Sequence, residues 1–504
     1  MKKITFLLAL TGALLMAGCS LFAPEEFTLD PPAVDSGTAD FSNFVAIGNS
    51  LSAGYQSGAL YESTQQYGFV QQLADAMAVS SFEVPWIADP GIYSAEHHLG
   101  HLQVVFDDEG NSGLAPIPWS DDIVDPAQLL MNATYVGPYH NLGVPGSTAY
   151  DMLFAMDQNN CFTAQIGSPN AYFDMILRNA NFDWTLFGAA TADLAVVDQA
   201  KLADPTFVSV WTGNNEHLMP AMAGMGSNFY PAYDDGGPLN FEDLYTGILG
   251  GLVQDLPNAK FVTADLPYVT SAPYFTTVPW FVIDPDQNPV DGDPYTDGIQ
   301  LVGLLSEDVG QLSNGDFVCL TLLSYDSEPN GVPDQKEGLG IPAPILIGLL
   351  MSQGYTQEEA EAIWPTAFPH GNEALPGGLT LVASEADFLH DSIDEYNTVI
   401  HTVAGGLGVP VVEINDFFEE MATDGGYFNG VHYTLDFVTG GLFSLDGVHP
   451  SNIGHALTTE MFINTINEAY GSNLTAPTMP TVPMRAPVIE GVPALPAIFP
   501  GMPF

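Results

Sequence analysis

The sequence predicts an α/β protein: a parallel sheet of about five strands, covered by helices on both faces and carrying large loop insertions. Short apolar, β-branched runs alternate with longer segments of helical periodicity, the signature of strand–helix–strand units. The 504 residues are 46% hydrophobic, ample for a large core despite a formal net charge of -54. In such sheets ligands sit beyond the carboxyl ends of the strands, so the residues just past each predicted strand matter most.

The chain opens on "MKKITFLLALTGALLMAGC", with Lys2 and Lys3 ahead of an apolar stretch from Ile4 to Met16 and small Ala17 and Gly18 before Cys19. This is the pattern of an export signal over residues 1–18, too short and wrongly flanked for a resident membrane helix. Its end, "LLMAGC", resembles a bacterial lipobox, with Met16 where leucine is commoner. That resemblance implies lipidation of Cys19 and a protein tethered to the bacterial outer membrane, on its periplasmic face or at the cell surface. Residues 19–41 are Pro-rich and acidic and read as the tether, residues 42–472 as the folded domain. Residues 473–504 form a Pro-rich apolar tail that its prolines keep out of helix. The nearest later approach to a membrane span, "IPAPILIGLLM" at 341–351, is too short for one.

Within the domain, "NFVAIG" at 43–48 is the first strand, followed by a helix over 67–79. A second strand lies within 134–144, and "STAYDMLFAMDQ" after it has helical spacing. "TFVSVWTG" at 206–213 is the third strand, and a helix over 241–257 leads into "AKFVTADLP", the fourth. A long amphipathic helix over 386–408 ends in glycines and feeds "VPVVEIN", the fifth strand; "IGHALTTEMFINTINEAYG" supplies the last helix. Irregular stretches at about 80–132 and 270–385 interrupt the alternation and read as insertions.

Composition removes one function class. With 61 acidic against 7 basic residues, the chain lacks the lysine and arginine that neutralise phosphates, which argues against nucleic-acid binding. So many carboxylates repel one another unless salt or divalent cations screen them. That fits a saline or calcium-containing medium outside the cytoplasm, or a generally acidic set of exported proteins. Beyond Cys19 only Cys161 and Cys319 remain; they either pair in an oxidising compartment or stay as two buried thiols.

Four short stretches at strand ends carry compatible chemistry. In "AIGNSLSAG" the strand stops at Gly48 and Ser50 projects from the turn into a helix. "NLGVPGSTAYD" places Gly146 at a helix start, where a free backbone N–H can face an anion. "VWTGNNEH" sets Asn215, a side-chain amide donor, just past the third strand. "SLDGVHPSNIGH" sets Asp446 three residues before His449, close enough for the carboxylate to fix the imidazole's tautomer. A nucleophile, a base, its orienting acid and oxyanion donors are what acyl transfer requires. Singly, each stretch reads more readily as a turn, a cap or a loop contact.

In order, "GNSLSAGY", "NLGVPGST", "GNNE" and "DGVHP" resemble the four blocks of the SGNH hydrolases, also called the GDSL esterase/lipase family. The resemblance spans about residues 42–470 and implies a three-layer α/β/α fold of flavodoxin-like type. It implies a serine esterase or lipase acting through an acyl-enzyme on Ser50, with His449 as general base and Asp446 as its partner. The oxyanion hole would comprise the Ser50 N–H, the Gly146 N–H and the Asn215 side chain, with Gly143 competing for the second role. Asn49 stands where the family usually has aspartate, and Glu216 where the third block ends in aspartate. No cofactor is required for this chemistry. The implied partners are an ester substrate, whether lipid, acylated small molecule or acylated glycan, and the membrane reached by the lipid anchor. Carbohydrate acetylesterase, thioesterase and non-catalytic surface binding are the competing readings.

Other stretches invite ligands. "DSEPNGVPDQKE" places Asp326, Glu328, Asn330, Gly331, Asp334 and Glu337 on a calcium-loop spacing, with Glu328 and Pro329 departing from it, and "DGDPYTDG" at 291–298 is similarly acidic. Calcium as a structural ion and a merely solvated acidic loop are both consistent with them. His97, His98 and His101 in "HHLGH" suit either a metal or a loop lining the cleft. His217 and His455 flank the blocks as local contacts, and the aromatic "PYFTTVPWF" at 273–281 is either core or the wall of an acyl pocket.

Overall fold

The computed structural model describes residues 34–95, 97–106, 112–189, 193–283, 301–324, 338–428 and 430–477. Cys19, the proposed signal, most of the tether and tail, and both acidic loops, including Asp326, Glu328, Asn330, Asp334 and Glu337, lie outside these residues.

Five parallel strands form the central sheet: β1 (Phe44–Gly48), β2 (Asn141–Gly143), β3 (Phe207–Trp211), β4 (Lys260–Ala264) and β5 (Val411–Val412). Their order across the sheet is β2-β1-β3-β4-β5, the flavodoxin-like doubly wound order. β1 and β3 are buried at every residue, which is why their sequences run apolar without alternation. Register runs Gly48 against Gly143 on one side and against Trp211 on the other. The direction of winding reverses at β1, so the crevice at the carboxyl ends of β1 and β3 is the position where such folds bind ligands.

The helices separate into two packed groups. Helices α1 (Ser50–Ala53), α2 (Phe69–Ala76) and α9 (Asn452–Tyr470) pack together through contacts centred on α2. Helices α3 (Ala149–Phe154), α4 (Val196–Leu202), α6 (Phe241–Tyr245) and α7 (Ala383–Leu407) form the other group, α5 (Asn215–Met222) packs on α7, and α8 (Ile414–Asp424) follows β5. Side chains alternate across the sheet, and aromatic contacts assign the faces. Trp211 on β3 meets Phe69 of α2 and Phe462 of α9 at ring separations of 5.5 and 5.9 Å. Thr263, in register with Val210 on the opposite face, takes a 2.6 Å hydrogen bond with Tyr245 of α6. The fold is therefore helix, sheet, helix.

Several boundaries differ from the sequence reading. The second strand lies within 134–144 as expected, at Asn141–Gly143, because Gly137 and Pro138 interrupt any ladder before it. The 241–257 helix forms, with a π-helical turn at Thr246–Gly250 between α-helical segments. The fifth strand keeps only Val411–Val412. Within 80–132, strands Leu99–Phe106 and Ser112–Pro118 pair antiparallel. Residues 341–351 overlap a helix at Ala343–Ser352, and no helix among the described residues is long and apolar enough to cross a membrane. Cys161 and Cys319 are both buried free thiols, so the disulfide alternative is set aside.

Candidate active site

β1 delivers Ser50. The strand ends at Gly48, Asn49 caps α1, and Ser50 is the first helical residue, 6% exposed. Asn49 secures this turn twice: its Oδ1 accepts from Leu51 N at 3.0 Å, and its Nδ2 donates to Asn214 Oδ1 at 2.8 Å. An aspartate could accept from Leu51 equally well but has no amide to give Asn214. The Asn49 amide is thus matched by an acceptor on Asn214. Ser50 N–H, as the first helical donor, has no carbonyl one turn earlier.

His449 and Asp446 arrive from the loop before α9. His449 Nε2 lies 2.9 Å from Ser50 Oγ, and His449 Nδ1 lies 2.9 Å from Asp446 Oδ2. Asp446 is braced by donors on both oxygens: Gly58 N at 2.8 Å on Oδ2, with Val448 N and His449 N, both at 2.9 Å, on Oδ1. Ser444 Oγ adds a 3.2 Å bond to Oδ1 and itself accepts from Ser57 N at 2.8 Å. Burial alone would raise the Asp446 carboxyl, but the His449 charge and these hydrogen bonds hold it down at about 2. The carboxylate is therefore ionised and fixed while the imidazole faces the serine. The Tyr55 ring packs 4.6 Å from the His449 ring. Neither the 55–58 segment nor Ser444 stands out in the sequence; they are ordinary turn residues until the fold brings them to Asp446.

Asn215 opens α5 beyond β3. Its Nδ2 donates to Ser147 O at 2.7 Å, which uses one amide hydrogen and leaves the other. Asn215, Ser50 and His449 line one pocket. Asn215→Ala is expected to lower kcat for ester hydrolysis about 10²–10³-fold, or about 2.7–4 kcal/mol, with little change in KM. Steady-state kinetics on a purified variant check this.

The two glycines of the second block separate clearly. Gly143 N–H is taken by Asn141 Oδ1 at 3.0 Å, and a Cβ there would lie 2.5 Å from Ala53 N; Gly143 permits close packing. Gly146 has φ +76°, a conformation that favours glycine, and its N–H meets no acceptor among the described residues. Its turn is tied to the end of β1 by Ser147 Oγ, 3.3 Å from Gly48 O. Gly146 is not itself among the residues lining the pocket.

Glu216 is wholly buried; Oε1 accepts from Ala149 N, the first donor of α3, at 2.6 Å, while Oε2 has no hydrogen-bond partner among the described residues. With Asn215 on Ser147, it clamps the second block to the third. Burial pushes its carboxyl up to about 7, against the opposing hydrogen bond from Ala149 and with support from the Asp151 charge. A raised carboxyl means that the native state retains a proton the unfolded chain gives up. The associated stability is full below about 4.5 and is lost, to about 3 kcal/mol, as pH rises through about 7. Glu216→Gln is expected to gain relative to wild type by about that amount between pH 4.5 and 8 in urea denaturation.

The pocket wall is apolar: Trp211, Leu218, Val269, Phe418, Phe443 and Val448 surround the polar edge formed by Ser50, Asn215 and His449. The aromatic stretch at 273–281 is not part of it; Tyr274 and Phe275 are buried core. His98 stacks on Trp119 and His101 on Tyr61, and the 97–101 histidines form no metal-ligating group among the described residues. His217 bonds Ser392 Oγ at 2.9 Å, and His455 Nδ1 accepts from Phe69 N at 3.3 Å. Burial lowers these two imidazoles to about 4 and about 3, His455 also through the nearby His449. Both are neutral structural groups.

No protein-family model matches the chain, and no curated protein matches it.

Proposed function

We propose that the chain is a serine esterase of the SGNH type that hydrolyses carboxylic esters through an acyl-enzyme on Ser50. The observation that carries the reading is the line from Ser50 Oγ to His449 Nε2, 2.9 Å, and from His449 Nδ1 to Asp446 Oδ2, 2.9 Å. It stands at the switch point of the sheet, with Asn215 beside it.

In this reaction Ser50 Oγ attacks the ester carbonyl as His449 Nε2 takes its proton; Asp446 stabilises the resulting imidazolium. The negative charge that develops on the carbonyl oxygen is met by the Ser50 N–H and the free Asn215 amide hydrogen, with Gly146 N–H the third donor. The intermediate collapses, the C–O bond to the alcohol breaks, and His449 returns the proton to the leaving alcohol. Water, deprotonated by His449, then attacks the acyl-serine; the acid departs and Ser50 regains its proton.

The apolar side chains around Ser50 favour an apolar acyl group over a sugar ring, and so the ester reading over carbohydrate deacetylation. Lipidation at Cys19 and attachment to the outer membrane belong to the same proposal and rest on the sequence motif. Purified chain is expected to hydrolyse short-chain p-nitrophenyl esters. Absence of turnover over pH 6–9 would overturn the proposal and leave the binding-protein reading.

A further inference from the structure

We propose that Asp265, His401 and Glu413 form a binding site for a divalent transition-metal cation of the zinc class, separate from the Ser50 centre. Asp265 is the first residue past β4 and Glu413 the first past β5. Because Ala264 pairs with Val412 in parallel register, the two acids emerge side by side at the carboxyl ends of neighbouring strands. His401 reaches them from α7. One ligand atom from each residue lies within 4.8 Å of the other two.

The distances suit a shared ion. His401 Nε2 lies 3.6 Å from Asp265 Oδ2 and 3.5 Å from Glu413 Oε2. A proton on Nε2 points along one direction and makes a hydrogen bond near 2.9 Å; here the nitrogen stands almost equally far from two oxygens, at ion-pair distance from both. An ion about 2.1 Å from each ligand in tetrahedral geometry separates the ligand atoms by about 3.4 Å, close to the spacing observed. Asp265 supplies an independent observation. Its side chain is 4% exposed, and its Oδ1 is committed to Ile414 N at 2.6 Å and Asn415 N at 2.9 Å. Its Oδ2 instead faces the cluster, where His401 Nε2 stands 3.6 Å away.

One imidazole nitrogen with two carboxylate oxygens suits zinc and its neighbours, whereas calcium takes six to eight oxygens. His401 and Glu413 are 40% and 55% exposed, which leaves an approach for the ion and a coordination position for water. In a chain of net charge -54 such a cation relieves the repulsion between two carboxylates held together. Bound there, it would clasp the ends of β4 and β5 to α7. Asp265 O also accepts from Trp211 Nε1 at 3.0 Å, so the clasp adjoins a wall of the Ser50 pocket.

Isothermal titration of chelator-treated full chain with Zn²⁺ at neutral pH tests this. One site of micromolar affinity or tighter is expected, weakened at least tenfold in both His401→Gln and Glu413→Gln. Both side chains are partly exposed, and thermal melting verifies that the variants fold. Zinc is expected to raise the melting temperature of wild type and leave His401→Gln unmoved. No binding, binding unchanged in both variants, or a response to Ca²⁺ alone would overturn the proposal.

Discussion

Ser50→Ala is expected to lower kcat for ester hydrolysis by about 10⁶-fold, close to removal of the whole catalytic set, because its members act as a unit. The substitution deletes the atom that forms the acyl-enzyme and leaves the rest in place. Asn49 still caps α1 through Leu51 and still reaches Asn214, and the carboxylate of Asp446 keeps its backbone donors. Only the Oγ hydrogen bond to His449 is lost, about 1 kcal/mol. The melting temperature should therefore stay within a few degrees of wild type. A variant that hydrolyses short esters at the wild-type rate would remove Ser50 from the mechanism.

Asp446→Asn carries the second large effect, an expected loss in kcat of about 10⁴-fold. An asparagine that presents its oxygen to Val448 N and His449 N must turn NH₂ toward His449 Nδ1 and Gly58 N, which selects the wrong tautomer for a base facing Ser50. This change affects stability more than Ser50→Ala does, and in a pH-dependent way. The carboxyl held at about 2 in the native state, against an ordinary 3.8, contributes about 2 kcal/mol above pH 3.8. That contribution disappears as pH falls through about 2. Acid unfolding monitored by circular dichroism should therefore show wild type losing part of its advantage over Asp446→Asn below pH 4.

Much of the fold is legible because β1 and β3 are buried along their whole length and read as apolar runs, while α7 and α9 are long enough to declare their periodicity. The weak strands are less legible. Only three residues of the 134–144 stretch pair, and their place is set by the neighbouring β1 rather than by their own composition. At the site, Asp446 and His449 share a short loop, so their contact can be anticipated from spacing; their meeting with Ser50 depends on the whole sheet. Asn49 looks like a departure from a pattern until Asn214, far along the chain, supplies its acceptor. Gly143 and Gly146 look alike in sequence and part only when Asn141 claims one N–H. The Asp265, His401 and Glu413 group has no sequence signal at all: its members lie on two strand ends and a helix, and the register of β4 with β5 brings them together.

The central claim is that Ser50 is an activated nucleophile. Treating the purified chain with a fluorophosphonate probe and locating the adduct by peptide mass spectrometry tests it most directly. The account predicts one stoichiometric adduct on Ser50, absent in Ser50→Ala and strongly slowed in Asp446→Asn. An unmodified chain, or an adduct on another residue with Ser50 untouched, would contradict it.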